Sequence, residues 1–263
     1  MKKLLLLFIA FNLATSCSSD ENSPSEQKDS TLPKTISYLY PSPMLGTNTK
    51  ETITYDGVKI VSILGKESKK TFTYNGDLII KQEQFDIGSG KENKSSEVSY
   101  EYENGKLKTR ILKEGISVDY PNGQYINKAV YTHTSNEVIS YISYNIDKTT
   151  NIERKNGEGT LTYKNGNLVK HERKIDSYTV TSIFEYDSKK NPLKNIIGVN
   201  LLLNEFDQYG NNNIVKTTQK SSEFPNPSVY LTTYVYNNSD YPTKHTSFDG
   251  GGKDIEYEVE YTY

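Results

Sequence analysis

Apolar and polar residues alternate with a period of two along most of the chain. Val98, Tyr100 and Tyr102, for example, alternate with serine and glutamate. The longest such run closes the sequence, with apolar or aromatic residues at Ile255, Tyr257, Val259, Tyr261 and Tyr263. Since successive side chains of a strand point to opposite faces, this pattern predicts strands with one aromatic face and one polar face. Such strands are typical of an antiparallel sheet with one side in water.

A short repeat separates these strands. Each copy has a tyrosine at the end of a strand, then Asp or Asn, usually with Gly, and then an apolar residue where the next strand begins. Clear copies begin at Tyr55, Tyr74, Tyr102 and Tyr163, and degenerate copies begin at Tyr186 and Tyr236. Asn-Gly and Asp-Gly accept the positive φ that a type I′ turn needs, so each copy predicts a β-hairpin.

One segment departs from the alternation. From 192 to 206 the apolar residues partly follow helical spacing, and Pro192 suits a first helical turn. Gly198 in its middle disfavours a helix. We therefore predict an all-β domain, a single large antiparallel sheet of hairpin repeats, with one short helix or apolar loop near 192–206 that covers the sheet.

The N-terminus carries the pattern of an export signal. Two lysines precede an apolar run from Leu4 to Leu13 that only Asn12 interrupts. The run is too short to span a bilayer, which takes about 20 apolar residues, but it fits a signal peptide. The small residues at 14–16 followed by Cys17 resemble a bacterial lipobox. We predict that residues 1–16 are a cleaved signal peptide and that Cys17 is the site of lipidation.

Cysteine usage agrees with this prediction. Cys17 is the only cysteine among 263 residues, and it falls at the predicted cleavage point. The rest of the chain therefore has no disulfide, thiolate nucleophile or thiolate metal site. The predicted partner is the membrane, through acyl chains that contribute about 0.8 kcal/mol for each buried CH₂. The alternative is a plain secretory signal with an incidental cysteine.

Residues 17–34 form the predicted acylated start and a disordered tether. They are rich in Ser, Asp, Glu, Asn and Pro, and only Leu32 is apolar after the cysteine. The sequence from Ser18 to Glu21 resembles the signal that sends lipoproteins of the Bacteroidota to the cell surface. We predict a lipid-anchored protein of the outer membrane, with the cell surface favoured over the periplasmic face. Residues 35–263 remain as the repeat-built β domain.

Composition narrows the choice of partners. The formal net charge is −2, mean hydropathy is −0.71 and 34% of residues are hydrophobic, so the core must be thin and nucleic acid is not an expected partner. The chain has 22 Tyr, 8 Phe and no Trp. Tyrosine favours pleated, half-buried surfaces, which strengthens the prediction of a β fold.

The repeats also carry a family resemblance. The tyrosine units resemble degenerate YD repeats, the strand-turn-strand units of Rhs-type proteins. The segments Asn191–Ile196, Asn211–Lys216 and Tyr241–Lys244 are similar to those of an uncharacterised group of Bacteroidota lipoproteins, described as a domain of unknown function. That group has a porin-like, curled β fold. The resemblance therefore implies a strongly bent sheet or an incomplete barrel, and it implies no catalytic residue.

Side chains capable of catalysis are scattered. The histidines His133, His171 and His245 have no second ligand at a metal-binding spacing, and we expect exposed strand or turn residues. No nucleophile elbow, P-loop or dinucleotide fingerprint occurs. The glutamates at 101, 103, 256, 258 and 260 alternate opposite the aromatic face, so we expect a solvated surface and not a glycosidase pair. The expectation is no enzyme, no cofactor and no metal.

The tyrosine-rich faces are the remaining candidate for function. The candidate ligand-contacting residues are Tyr100, Tyr102, Tyr186, Tyr234, Tyr236 and Tyr257. Their rings offer a platform for a glycan, a lipid or a peptide, and the alternative is that the same rings form the core. The sequence therefore favours a non-enzymatic binding or scaffold module. A hydrolase acting on an envelope or dietary polymer and a lipid-handling protein are the alternatives.

Overall fold

The computed structural model describes residues 31–203 and 210–263, and these form sixteen strands and one short 3-10 helix. The strands are β1 (Thr35–Leu39), β2 (Thr49–Asp56), β3 (Lys59–Leu64), β4 (Ser68–Asn75), β5 (Leu78–Asp86), β6 (Asn93–Glu103), β7 (Lys106–Glu114), β8 (Tyr125–His133), β9 (Val138–Ile146), β10 (Glu153–Lys164), β11 (Asn167–Ile175), β12 (Tyr178–Tyr186), β13 (Ile214–Ser221), β14 (Phe224–Tyr236), β15 (Pro242–Phe248) and β16 (Ile255–Thr262). The predicted all-β fold is confirmed.

The sheet closes on itself. Each strand pairs antiparallel with the next one along the chain, and β1 also pairs with β16, from Thr35 opposite Thr262 to Leu39 opposite Glu258. The expectation of a curled or incomplete barrel is therefore wrong in one respect, because the barrel is complete. Closure leaves neither β1 nor β16 with an open edge of unpaired backbone groups.

The four clear repeats are tight hairpins, but their turns are of two kinds. Asn104–Gly105 has φ angles of 52° and 73°, and Asn165–Gly166 has 53° and 76°, as a type I′ turn requires. In the two earlier repeats only Gly57 and Gly76 have positive φ, at 59° and 57°. These glycines stand at the first central position, which fits a type II′ turn. The predicted type I′ geometry is wrong there, since the turn lies one residue further along.

Every repeat also contains a β-bulge beside its tyrosine. Tyr102, for example, pairs with Leu107 while Glu101 pairs with Thr109, which leaves Lys108 as the extra residue. The same register shift leaves one extra residue in the other five repeats, at Val61, Ile80, Val169, Val215 and Thr243. Bulges bend a strand and increase its twist. The repeat therefore encodes both the turn and the curvature that closes the barrel.

The hydrophobic core is concentrated at one end of the barrel. The repeat turns, the start of β1 and the end of β16 all lie at this end. The connection between β12 and β13 folds back over it: the Ile197 amide donates to Val58 O at 3.1 Å, and Tyr74 Oη donates to Ile197 O at 3.2 Å. The buried cluster joins strand residues to this connection and includes Ile60, Ile79, Leu107, Leu161, Ile196, Val199, Leu202 and Leu203. We call this the capped end and the opposite one the open end.

The covering segment is mostly turn and loop. Its only helix in the described range is the 3-10 helix Val199–Leu201, which follows Gly198 in the left-handed conformation at φ 86°. A Cβ on Gly198 would lie 2.8 Å from Asp77 O, so the close approach also requires glycine. The apolar loop of the two predicted alternatives is thus the nearer description, and residues 204–206 of the predicted segment lie outside the described residues.

The chain reaches the barrel at the capped end. Leu32 packs against the core, Pro33 is buried, and the Lys34 amide donates to Thr262 O at 2.6 Å. Residues 31–34 were predicted to belong to the tether, but they are part of the folded domain. The predicted signal peptide and Cys17 lie outside the described residues.

The two faces of the sheet differ in chemistry, as the alternation predicted. Most tyrosines point inward. Lysines and glutamates dominate the outward face, where Lys216 lies 2.7 Å from Glu185 and Lys244 lies 2.8 Å from Glu258. The predicted solvated positions of the glutamates at 101, 103, 256, 258 and 260 are on this outward face. The outward positions of β8 and β9 are more apolar and include Ile142.

Candidate functional site

A cavity of about 340 Å³ lies on the inward face of β7–β11. Its lining residues are Arg110, Asn127, Ala129, Tyr131, Tyr141, Ser143, Asn156, Gly157, His171, Arg173 and Ile175. We call this cavity the chamber. Its wall is unlike the capped end, because amides, hydroxyls and guanidinium groups take the place of aliphatic side chains.

Strand register brings these residues together. Arg110 pairs with Ala129, Ala129 with Ser143, and Ser143 with Gly157, so one row of inward positions crosses β7 to β10. Arg173 lies on β11 opposite Gly159. The chamber is thus built from neighbouring strands of a rigid sheet and needs no loop to place its polar groups.

Two glycines on β10 allow close packing in the chamber wall, and one of them makes room for an aromatic ring. A Cβ on Gly159 would lie 2.6 Å from both the Tyr141 ring and Glu172 O, and one on Gly157 would lie 3.1 Å from Lys174 O. Gly159 therefore lets the Tyr141 ring lie against the backbone of β10. In that position Tyr141 Oη is 2.8 Å from His171 Nε2.

A hydrogen-bond network lines the chamber. Ser143 Oγ donates to Asn156 Oδ1 at 2.5 Å, and Asn156 Nδ2 donates to Asn145 Oδ1 at 2.7 Å. Burial lowers the pKa of His171, and the nearby Arg173 charge lowers it further. The imidazole is therefore neutral at pH 7, so it acts in the chamber as a hydrogen-bonding group and not as a cation.

A second cavity of about 630 Å³ adjoins the chamber toward the open end, and Arg173 lines both. Its other inward residues include Tyr178, Gln219 and Ser228. Arg173 is exposed to these cavities. Within residues 31–203 and 210–263, no carboxylate forms an ion pair with Arg173, and the neighbouring Glu172 is paired with Lys170 on the outward face.

The six predicted tyrosines all point inward, but they lie outside the chamber. Tyr234 and Tyr236 stack with their ring centroids 5.8 Å apart, and His245 contacts both Tyr234 and Tyr257. Tyr100 is buried and accepts a hydrogen bond from Gln82 Nε2 at 2.7 Å. A ligand-contacting role for the six stays a prediction.

Several of their hydroxyls already have protein partners. Tyr102 Oη donates to Ile79 O at 2.8 Å, Tyr186 Oη to Leu168 O at 2.7 Å, and Tyr234 Oη to Ile214 O at 2.9 Å. In each case the acceptor lies on the preceding strand, next to the extra residue of a bulge. The hydroxyls thus satisfy carbonyl groups that the bulged ladder leaves available. Tyr236 Oη bonds to the Asp187 carboxylate.

Mutations can distinguish a packing role of the six tyrosines from a binding role. We expect Tyr234→Ala to lower the free energy of unfolding by about 3–5 kcal/mol, and Tyr234→Phe by about 1 kcal/mol for the lost hydrogen bond. The exposed Tyr125 is the control, and Tyr125→Ala should change little. Urea midpoints measure all three. If alanine variants of all six tyrosines lose several kcal/mol and no glycan or lipid shifts the melting temperature, the six are core residues only.

The histidine prediction is wrong for one residue and incomplete for the others. His245 is 1% exposed and lies among tyrosine rings, and burial lowers its pKa to about 4. His133 is partly buried, with Nε2 2.8 Å from Leu107 O. The residues on either side of His245 in its strand are Lys, Thr and Ser, so its immediate neighbours in the sequence do not indicate a buried position.

The chamber was not predicted from the sequence. Its residues are of types that are common on surfaces, and a bulge between Lys155 and Gly157 reverses the inward and outward positions of β10. The arginines could have indicated this site, because only 3 of the 31 basic residues are arginine. Arg110 and Arg173 line the chamber, and Arg154 shares the inward face through its pairing with Asn145.

Two solved structures have this fold. One is a porin-like protein from Bacteroides vulgatus ATCC 8482, with a TM-score of 0.61 and 13% sequence identity over 89% of this chain and 98% of that chain. The other is a porin-like protein from Bacteroides uniformis ATCC 8492, with a TM-score of 0.53 and 12% identity over the same shares. The chain has a porin-like fold. No protein-family model and no curated protein sequence matches it.

Two features are absent from the described residues. Residues 31–203 and 210–263 contain no helix long and apolar enough to cross a membrane. In the same part of the chain, no group of three or more His, Cys, Asp or Glu side chains is placed to hold a metal ion.

Proposed function

We propose that the chain is a non-enzymatic lipoprotein of the cell envelope. Acyl chains on Cys17 hold it to the outer membrane, and the barrel stands outside the hydrocarbon layer as a binding module. The porin-like fold supports an envelope protein but no particular activity. The charged outward face of the barrel carries the proposal.

That face is unsuited to lipid. Lys94 lies 2.7 Å from Glu83 and also contacts Glu97, and further lysine–glutamate pairs follow around the barrel on β12–β13 and β15–β16. A membrane-spanning barrel presents an apolar band about 25 Å tall, and a lysine at its midplane costs about 2–4 kcal/mol. A barrel with this surface needs a separate membrane anchor, which lipidation of Cys17 provides.

The path of the chain supports one orientation. The chain enters the barrel at the capped end, where the Lys34 amide bonds to Thr262 O. An anchor upstream of residue 31 therefore holds the capped end nearest the membrane. The open end, with the two cavities behind it, then faces away from the bilayer and toward ligands.

The inward wall favours a polar ligand over the alternatives. An acyl chain in the chamber would remove water from the Arg173 guanidinium, which forms no ion pair with the described residues, and this is costly. This argues against a lipid-handling protein. The glutamates Glu101 and Glu103 are on the outward face, which argues against a pair of hydrolytic carboxylates inside the barrel.

Metabolic labelling tests the anchor. We expect a labelled fatty acid to tag the wild-type protein and the protein to fractionate with the outer membrane. Cys17→Ser should lose both the label and the membrane association, because no other cysteine can be acylated. The double variant Ser16→Cys/Cys17→Ser is the control, because it keeps a thiol but moves it by one residue. A Cys17→Ser protein that stays in the membrane fraction would contradict the proposal.

A further inference from the structure

We propose that the chamber binds an anionic saccharide, and that the Arg173 guanidinium receives its carboxylate. This inference rests on the proposed role of the barrel as a binding module. It adds the ligand class and the residue that selects it.

The first argument is the distribution of charge on the two faces. On the described inward positions of β8–β12 there is Asn, Ser, Tyr, His and Arg, but no Asp or Glu. The glutamates of these strands face outward, where Glu153 pairs with Lys128 and Glu158 with Lys155. The lining of the second cavity includes one carboxylate, the exposed Glu223 in the turn after β13, whereas the chamber itself is lined by Arg110 and Arg173 and by no carboxylate. The chamber therefore has an excess of positive charge, which favours an anionic group.

The second argument is the choice of arginine. All three arginines of the chain are on the inward face, whereas the ion-paired cations of the outward face in the described ranges are lysines. A planar guanidinium binds a carboxylate through two parallel hydrogen bonds, and lysine cannot do so. Arg110 is engaged in an interaction within the protein, so Arg173 is the residue assigned to the ligand.

The third argument is the size and lining of the space. The two cavities that meet at Arg173 have volumes of about 340 and 630 Å³, the range of small-ligand sites. Tyr141 and Asn127 line the chamber, and Tyr178 and Gln219 line the second cavity, so each cavity has an aromatic ring and an amide. Sugar rings offer C–H faces to aromatic rings and hydroxyls to amides, so a short acidic saccharide uses all of these groups.

Calorimetry with a matched pair of probes tests the inference on the purified full chain. The probes are tri-galacturonate and its methyl ester, which has the same sugar skeleton without the charge. We expect the wild type to bind the acid, and the ester to bind more weakly by about tenfold or more, because the charge-assisted hydrogen bonds are lost. Inorganic phosphate is the third probe and should bind no better than the ester.

Two neighbouring residues supply the variants. Arg173→Gln should weaken binding of the acid by about tenfold or more, and Arg173→Lys should recover part of the loss. Lys174→Gln makes the same change of charge one residue along the strand, on the outward face, and should leave binding unchanged. An unchanged melting temperature verifies that each variant is folded. If Arg173→Gln is unstable, the test uses Arg173→Lys instead.

Four results would overturn the inference. The first two are that the wild type does not bind the acid, or that it binds the acid and the ester equally. The third is that Arg173→Gln and Lys174→Gln lose the same amount of affinity for the acid. The fourth is that phosphate binds as tightly as the saccharide. If the wild-type protein carries no acyl group and still binds the acid, the proposed anchor is wrong and the ligand site stands.

Discussion

Leu202→Ala is expected to lower the free energy of unfolding by about 3 kcal/mol, within the range of about 2–5 kcal/mol for a buried leucine. The side chain is 0% exposed and belongs to the cluster that joins the covering segment to the barrel. Its truncation leaves a cavity between two elements that are distant in sequence. Urea unfolding followed by tyrosine fluorescence measures the loss.

A matched leucine provides the control. Leu64 ends β3 and is 47% exposed, so Leu64→Ala should change stability by less than about 1 kcal/mol. A second readout identifies the cause. The Ile197 amide, which bonds to Val58 O, should exchange its hydrogen faster in Leu202→Ala than in the wild type. Equal stabilities of the two variants would mean that the covering segment does not contribute to the core.

The hairpins of the fold could be predicted from the sequence, because each depends on residues that are close together in the chain. The turn residues Asn104–Gly105 and Asn165–Gly166 accept positive φ, and the flanking alternation defines the inward face, so hairpins could be predicted repeat by repeat. Closure could not be predicted in this way. It depends on whether accumulated twist and bulges bring β1 beside β16, and these strands are more than 200 residues apart, as the Thr35 and Thr262 hydroxyls, 2.8 Å apart, illustrate.

The chamber illustrates a second limit. Alternation identifies a face only while the register is regular, and one extra residue moves every later side chain to the other face. The bulge between Lys155 and Gly157 does this in β10. The tyrosines were easier to find, since aromatic residues stand out in a thin core. The polar residues around Arg173 are of types that also occur on solvated surfaces. Only their positions in the folded barrel distinguish them from such a surface.

His245 should make the barrel sensitive to mild acid. Burial lowers its pKa in the folded protein to about 4, against 6.5 for an unperturbed histidine. Above pH 6.5 the imidazole is neutral in both states, so it contributes no pH dependence. Between pH 6.5 and 4 the unfolded chain binds a proton that the folded chain does not, and stability falls as pH falls. A difference of about 2.5 pKa units corresponds to a loss of about 3 kcal/mol by pH 4.

Among residues 31–203 and 210–263, no charged group lies near enough to His245 to offset this effect, and burial alone lowers its pKa. Rings of Tyr234, Tyr257 and Tyr261 face the imidazole, and Tyr261 Oη lies 3.1 Å from Nδ1. Burial raises the pKa of Tyr234 and Tyr261, so both phenols stay neutral throughout the pH range concerned. His171, whose pKa is also lowered by burial, adds a separate contribution.

The slope of stability against pH tests this effect independently of the cost of the mutation itself. His245→Asn keeps an acceptor near the Tyr261 hydroxyl and removes the titration. Urea unfolding of both proteins at pH 7.5, 6.0 and 4.5 should show a stability that declines less steeply in the variant, even though the variant is less stable at pH 7.5. His171→Gln is the comparison for the smaller contribution. Parallel slopes for wild type and His245→Asn would mean that the imidazole is solvated or is protonated within the fold, and that carboxylates elsewhere cause any acid sensitivity.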